Sequence, residues 1–322
     1  MQKELSLHFQ KRVTSMKGAT KGHIAILIAN IVFGLNINIV KSALASGQIN
    51  AFALSYFRIL GSCVVFWIVS AFIPSPKLEK KDYLFLFFAS LFGVVINQFT
   101  YIVGLKTTAS IDASIIVTIT PILTMIIAAI HLREPITSKK VIGVVLGCSG
   151  AITIILNHSG VASFGHGEIL GNSLCLLSSL SYAFYLVFFK NFVAKFNPVV
   201  LMKWMFLFGS LVLLPFCWRN VGQIDFVHIK PLVLLQVAYT VFMATSFTYF
   251  LIPIGQKNLR PTTMSMYNYV QPLVASVVAI IIGQDAFTWA NALGAVLVFV
   301  GVYIVTQSVS RKQMEGEKLK RT

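Results

Sequence analysis

One cation in this chain stands where charge is expensive. Arg58 falls about a third of the way into an apolar run over 51–73, and an ionised side chain in hydrocarbon costs several kcal/mol unless it meets water or a partner. Two chemistries fit. It can line a wet cavity and attract the carboxylate or phosphate of a substrate, or it can snorkel to the outer surface or onto a backbone carbonyl. Asp112 is the one carboxylate well inside a run, near the outer end of 108–131. It could exchange a proton in coupled transport, or favour the N-terminal dipole of its helix. Neutral polar and aromatic groups gather near the middle of the runs: Asn36, Asn97, Gln98, Tyr101, Thr118, Tyr182, Tyr185, Trp204, Tyr249, Tyr267, Asn268 and Gln271. Asn and Gln are costly in hydrocarbon unless hydrogen-bonded. These side chains should therefore face inward, some touching substrate or cavity water and others joining helix to helix.

Other chemistries lack their residues. The chain has no G-x-x-x-x-G-K-S/T loop for ATP, no H-E-x-x-H, no G-x-S-x-G and no intramembrane aspartate pair. The six histidines are scattered without metal-ligand spacing. Cys63, Cys148, Cys175 and Cys217 all lie in apolar runs and form no C-x-x-C pair, which suits packing rather than zinc or disulfides. No catalytic residue, metal or cofactor is expected. Glu134 and Asp285 sit just past their runs and read as local caps or partners. Lys41 and Lys190, at span ends, read as snorkelling anchors.

The elements that must hold these groups are membrane spans. The chain is 57% apolar and 11% charged, with a mean hydropathy of +0.81, and its runs reach the ~20 residues that cross a bilayer. Ten spans are read at 22–44, 51–73, 82–104, 108–131, 138–157, 167–190, 199–218, 231–256, 261–283 and 289–308. The net charge of +16 lies in the two tails and short loops, with no basic stripe interleaved with aromatics. That placement argues against nucleic acid and for a bilayer orientation signal. With the N-terminus inside, 21 of the 26 Lys and Arg residues fall on the inner side, so both termini are expected in the cytoplasm. The tails are 1–21 and 309–322, both basic, and 1–21 is expected to be loose. The first span is read as retained rather than as a cleaved signal, and the plasma (inner) membrane is the expected location.

The spans form two copies of one unit, 22–157 and 167–308. An offset of 151 superimposes Pro121 on Pro272, Gly104 on Gly255, Lys106 on Lys257, Ser114 on Ser265, Glu134 on Asp285, Gly143 on Gly294 and Gly150 on Gly301. Earlier in each unit Gly22 matches Gly171 and Lys41 matches Lys190, and Gly61-Ser62 matches Gly209-Ser210, at nearly the same offset. Five spans is an odd number, so the second copy must enter the membrane inverted. Pro121 and Pro272 remove backbone donors mid-span, and interrupted spans at corresponding places in two halves point to a transporter's binding site. The fold class expected is thus an all-α polytopic membrane protein of ten transmembrane helices in two inverted five-helix repeats.

Taken together, Phe33-Gly34, Arg58, Gly104-Leu105-Lys106, Pro121, Arg133-Glu134 and Gly143/Gly147/Gly150 give a chain that resembles the EamA-type transporters of the drug/metabolite transporter superfamily over roughly 22–308. Phe33 stands where that family often has Trp, Phe206 lies opposite Arg58 in the second copy, and Gln284 precedes Asp285 where the first copy has Arg133. The resemblance implies a ten-helix secondary carrier of small metabolites, often an exporter of amino acids or related compounds. The expected function is export of a small polar or amphipathic metabolite by alternating access. An uncoupled facilitator or channel is the alternative, and an intramembrane enzyme is disfavoured for want of motifs. The expected partners are a small-molecule substrate and the lipid bilayer, with no nucleic acid and with a homodimer left open.

Overall fold

The computed structural model describes residues 2–74, 78–108, 110–159, 169–281 and 288–308, and side chains among these except at 2–17, 110–112, 114, 157–159 and 279. The Asp112 side chain, Asp285 with Gln284, the Gly160–Gly167 stretch and the 309–322 tail, all singled out from sequence, lie outside the described residues.

Among the described residues every regular element is helical. The first, α1 (Gln2–Ala45), runs back through the stretch expected to be a loose tail. The reason is local: no proline or glycine precedes Gly18, and Lys, Glu, Gln and Leu are good helix formers. Next is α2 (Ala51–Ser70), N-capped by Asn50, whose side chain accepts from the Ala53 N–H at 2.8 Å. Then α3 (Lys80–Ser90) passes through a π-helical turn at Leu91–Ile96 into α4 (Asn97–Thr107). The chain continues with α5 (Ser110–Thr118), α6 (Thr120–His131) and α7 (Ser138–Ser159). The second half holds α8 (Ile169–Phe188), the short α9 (Lys190–Val193), α10 (Pro198–Gly222) and α11 (Pro231–Val241). A second π-helical turn at Phe242–Phe247 leads into α12 (Thr248–Asn258). After α13 (Pro261–Met266) a 3-10 turn at Tyr267–Tyr269 leads into α14 (Val270–Ile281), and α15 (Trp289–Thr306) follows.

Eight of these helical stretches are long and apolar enough to cross a membrane. The runs expected as the fourth and ninth spans are not among them, and each carries a break. A proline ring clashes with the carbonyl four residues earlier. For Pro121 that is Val117, and α5 stops at Thr118; for Pro272 it is Asn268, which sits in the 3-10 turn. Pro121 lies in the first turn of α6, where its missing donor is tolerated.

The repeat offset reappears in the backbone. Shifting α3, the first π-turn and α4 by 151 residues lands on α11, the second π-turn and α12, end for end. Both α4 and α12 close the same way: the Thr108 N–H donates to Gly104 O at 2.9 Å, and the Leu259 N–H donates to Gly255 O at 2.8 Å. Contacts between the halves are reciprocal. A Cβ on Gly143 would lie 2.7 Å from Gly301 O, and one on Gly150 would lie 2.6 Å from Gly294 O. As the number rises along α7 it falls along α15, so these two helices cross antiparallel with backbones touching. Likewise Gly22 packs on Asn258 and Leu259, while its equivalent Gly171 packs on Thr107 and Thr108. Without a hydrophobic drive between helices in lipid, close backbone approach at small residues supplies the packing energy.

Large apolar side chains point outward, among them Ile130, Phe216, Trp218 and Trp289, as a lipid-facing surface requires. Lys140 is buried at 1% exposure and reaches Glu134 Oε2 at 2.8 Å. Removing one partner of such a pair strands the other charge, at a cost of about 3 kcal/mol. Lys140→Ala should therefore unfold at a clearly lower temperature in detergent than the parent protein, whereas the exposed Lys81→Ala, which loses only a surface pair with Glu79, should not.

Candidate functional site

The two breaks border one cavity of about 120 Å³, and the helices that leave the two π-turns, α4 and α12, line it. Its wall comes from both halves, largely as repeat equivalents: Phe33 with Tyr182, Gln98 with Tyr249, Tyr101 with Ile252, Val117 with Asn268, and Thr120 with Gln271. A near-symmetric chamber follows from two copies of one unit packed reciprocally. The polar chemistry placed in it is not symmetric.

Arg58, on α2, is 6% exposed and lines this cavity. Its Nε donates to Thr245 Oγ1 at 3.0 Å. Thr245 belongs to the second π-turn, and its hydroxyl in turn donates to Thr240 O at 2.7 Å. The neighbouring Ser246 Oγ–H donates to Val241 O at 2.9 Å. A π-turn disrupts the regular i→i−4 ladder, and these hydroxyls satisfy the two carbonyls preceding it. The first π-turn is served from the opposite half: Ser181 donates to Phe92 O at 2.7 Å and the Tyr249 hydroxyl to Gly93 O at 3.0 Å. Such repairs are what allow irregular backbone at membrane depth. The repeat equivalent of Arg58 is Phe206, fully buried between Phe66 and Tyr249 with ring centroids at 5.6 and 5.2 Å.

The amides differ in how free they are. Asn97 Nδ2 donates to both Ser178 O and Ser178 Oγ at 3.1 Å, and Ser178 Oγ donates back to Asn97 O at 2.7 Å, binding α4 to α8. Asn36 Oδ1 accepts from Thr240 at 3.2 Å. Gln271 Nε2 donates to Asn30 Oδ1 at 2.8 Å. Gln98 is buried with its amide against the Tyr249 hydroxyl, which spends its own proton on Gly93, and its amide oxygen has no hydrogen-bond partner. An unsatisfied buried amide costs about 1–3 kcal/mol, a cost that a bound group could relieve.

Of the thirteen candidates named from sequence, Asn36, Arg58, Asn97, Gln98, Tyr101, Tyr182, Tyr249, Asn268 and Gln271 line the cavity. The other four do not. Thr118 ends α5 with its hydroxyl turned back to Ile115 O at 2.6 Å. Tyr185 is buried beside Gly93, whose missing Cβ makes room for its ring. Trp204 packs edge-on against Trp67 and Tyr83, with the Lys203 ammonium over both indoles, an aromatic cluster rather than cavity wall. Tyr267 shares a 2.7 Å hydrogen bond with His23 Nδ1. Sequence reasoning passes over Thr120 and Thr245, and reads Ser178 and Ser179 as packing. Thr120 has a signal, since it is the repeat equivalent of Gln271. Thr245 has none.

Past Tyr267, near the ends of the helices, Lys190 Nζ donates to Leu259 O at 2.8 Å, a tie within the second half in place of the expected snorkelling. Arg260 donates to Val305 O and to Ser308. Burial pushes the Arg260 guanidinium below its ordinary pKa, and Glu134 opposes that. Among the described residues no group of His, Cys, Asp and Glu could hold a metal ion.

Several known proteins with this pattern are named as transporters. The EamA-like transporter family model matches residues 20–156 and 169–307, once per half. An uncharacterised transporter of Archaeoglobus fulgidus is 27% identical over 73% of this chain and 82% of its own length. The uncharacterised transporter YetK of Bacillus subtilis is 24% identical over 87% of this chain and 84% of its own length. A solved crystal structure superimposes with a TM-score of 0.72, covering 90% of this chain and 96% of that one at 17% identity, a likeness of fold alone. Relatives named as transporters point away from an enzyme. With two family matches that span most of its length and eight helices fit to cross a bilayer, the chain belongs to the EamA-like transporter family and is an integral membrane protein.

Proposed function

We propose that the protein is a secondary carrier that moves a small polar or amphipathic metabolite outward by alternating access, the two halves rocking about the cavity. The observation that carries this reading is the cavity wall, built from repeat-equivalent residues of both halves beside both helix breaks. Eight long helices plus the two broken runs make ten crossings in this reading. The antiparallel contact of α7 with α15 supports inversion of the second unit, and the skew of Lys and Arg supports cytoplasmic termini in the plasma membrane. The nine cavity-lining candidates are the proposed cargo contacts, with Pro121 and Pro272 as the breaks that open the chamber.

The test is counterflow in proteoliposomes, with cargo drawn from a metabolite panel that compares efflux from cells with and without the gene. A carrier reorients faster when loaded, so external cargo should accelerate exit of labelled internal cargo. Flux that neither saturates nor responds to cargo on the far side would instead mark a facilitator. Asp112 is the proposed coupling carboxylate. Asp112→Asn should keep exchange but lose accumulation against a gradient, and retained accumulation would remove Asp112 from the mechanism.

A further inference from the structure

We infer that the cargo is a monocarboxylate with a flat apolar body and no ammonium group. This rests on the reading of the cavity as a cargo site and narrows it. Arg58 is the one ionised side chain among the described residues lining the cavity. Its hydrogen bond is made by Nε alone, to an oxygen that brings no charge, because Thr245 has already spent its proton on Thr240 O. No described carboxylate forms an ion pair with Arg58; the ion pairs among described residues are Lys81–Glu79, Lys140–Glu134 and His228–Asp225. The equivalent place in the other half holds Phe206, so the described residues of the wall supply neither a second charge nor a compensating one. Beside this cation the Gln98 amide is buried with its oxygen unpartnered.

The charge count selects the headgroup. A carboxylate brings one negative charge and two coplanar oxygens, which match the free edge of a guanidinium. A phosphate monoester brings a charge of about −1.5 to −2 and leaves part of it unpaired in an enclosed site. An uncharged cargo leaves Arg58 without a counter-ion. A zwitterion satisfies Arg58 but introduces an ammonium for which the described wall has no carboxylate. The amino acid implied by family resemblance is thus the poorer fit. The rest of the cargo meets the rings of Phe33, Tyr101, Tyr182 and Tyr249, which suit a flat apolar group.

Thermal unfolding of the purified full-length protein in detergent tests this, because a ligand of the folded state raises the unfolding temperature. The probes are phenylacetate, hexanoate, phenylacetamide, phenylalanine and phenyl phosphate. At about 10 mM, ten times a millimolar Kd, a bound probe produces a readable shift. Both carboxylates should raise the unfolding temperature, phenylacetate more. Phenylacetamide should not, and phenylalanine and phenyl phosphate should need at least about tenfold more ligand, the factor that one lost charge-assisted contact implies. Arg58→Gln should abolish the phenylacetate shift, and Arg58→Lys, which keeps the charge but loses the fork, should retain part of it. The inference is overturned if phenylacetamide or phenylalanine stabilises as well as phenylacetate, if Arg58→Gln responds like the parent, or if neither carboxylate shifts the parent at all. Should Arg58→Gln fail to fold, the series on the unmodified protein decides alone. A zwitterion that binds and exchanges overturns the anion class and leaves the carrier standing; a carboxylate that binds but never counterflows overturns the carrier.

Discussion

Arg58→Ala abolishes transport while the protein stays in the membrane and stays folded. Both halves of this expectation come from one piece of geometry. The side chain is buried, lines the cavity and makes a single hydrogen bond, Nε to Thr245 Oγ1 at 3.0 Å. Truncation removes a charge that the described protein groups do not neutralise, and removing an unpaired buried charge is neutral or stabilising rather than costly. Thr245 keeps its bond to Thr240 O, so the π-turn is not undone. Cargo, by contrast, loses a charge-assisted contact worth about 1.5–3 kcal/mol, roughly 10- to 100-fold in affinity, and the group that orients it. Efflux measured together with membrane-fraction immunoblots and unfolding temperature separates the two effects. Full transport by the variant would take Arg58 out of the site, and a collapsed unfolding temperature would make its role structural.

Gly150→Leu, in contrast, prevents accumulation of folded protein. A Cβ at Gly150 would lie 2.6 Å from Gly294 O, 2.8 Å from Leu297 Cβ and 2.9 Å from Val298 N. Two of these three atoms are backbone, so no side chain can swing away and α7 must separate from α15. Overpacking a core costs about 1–3 kcal/mol, and here it breaks the reciprocal contact between the two copies. Gly301→Leu should fail in the same way, since a Cβ there meets Gly143 O at 2.6 Å and Gly147 N at 2.7 Å. Gly222→Leu is the matched control, with no atom within 4 Å of the added carbon. Size-exclusion profiles of the three variants in detergent should show a folded peak for Gly222→Leu alone. A monodisperse, stable Gly150→Leu protein would mean that the α7–α15 crossing is looser than the structure has it.

Much of this architecture is legible in the amino-acid sequence, because the repeat is written in residues whose physics is narrow. Proline breaks a helix wherever it stands mid-span, so Pro121 and Pro272 mark the interruptions. Gly143, Gly150, Gly294 and Gly301 mark close approach because only a missing side chain lets backbones touch. The two π-turns leave no such trace. Leu91–Ile96 and Phe242–Phe247 share no identical residue at the 151 offset, since many side chains tolerate one wide turn when hydroxyls nearby can repair it. Thr245 is therefore invisible in the sequence, although it holds Arg58 in place. Trp204 and Tyr267 mislead for a related reason. Position along a span can be read from sequence, but the face of the helix depends on where the neighbours lie. Trp204 turns to its aromatic partners Trp67 and Tyr83, and Tyr267 to His23. The N-terminal tail reads as loose because it is polar, whereas helix formation there follows local propensity and needs no burial.

That the chamber between the halves opens to each side in turn can be read from Thr120→Cys in a background with Cys63, Cys148, Cys175 and Cys217 replaced. Thr120 lines the cavity beside the first helix break. Membrane-impermeant thiol reagent should label it in right-side-out and in inside-out vesicles alike, without the reagent itself crossing. Labelling from one face only, under every cargo condition, would contradict alternating access.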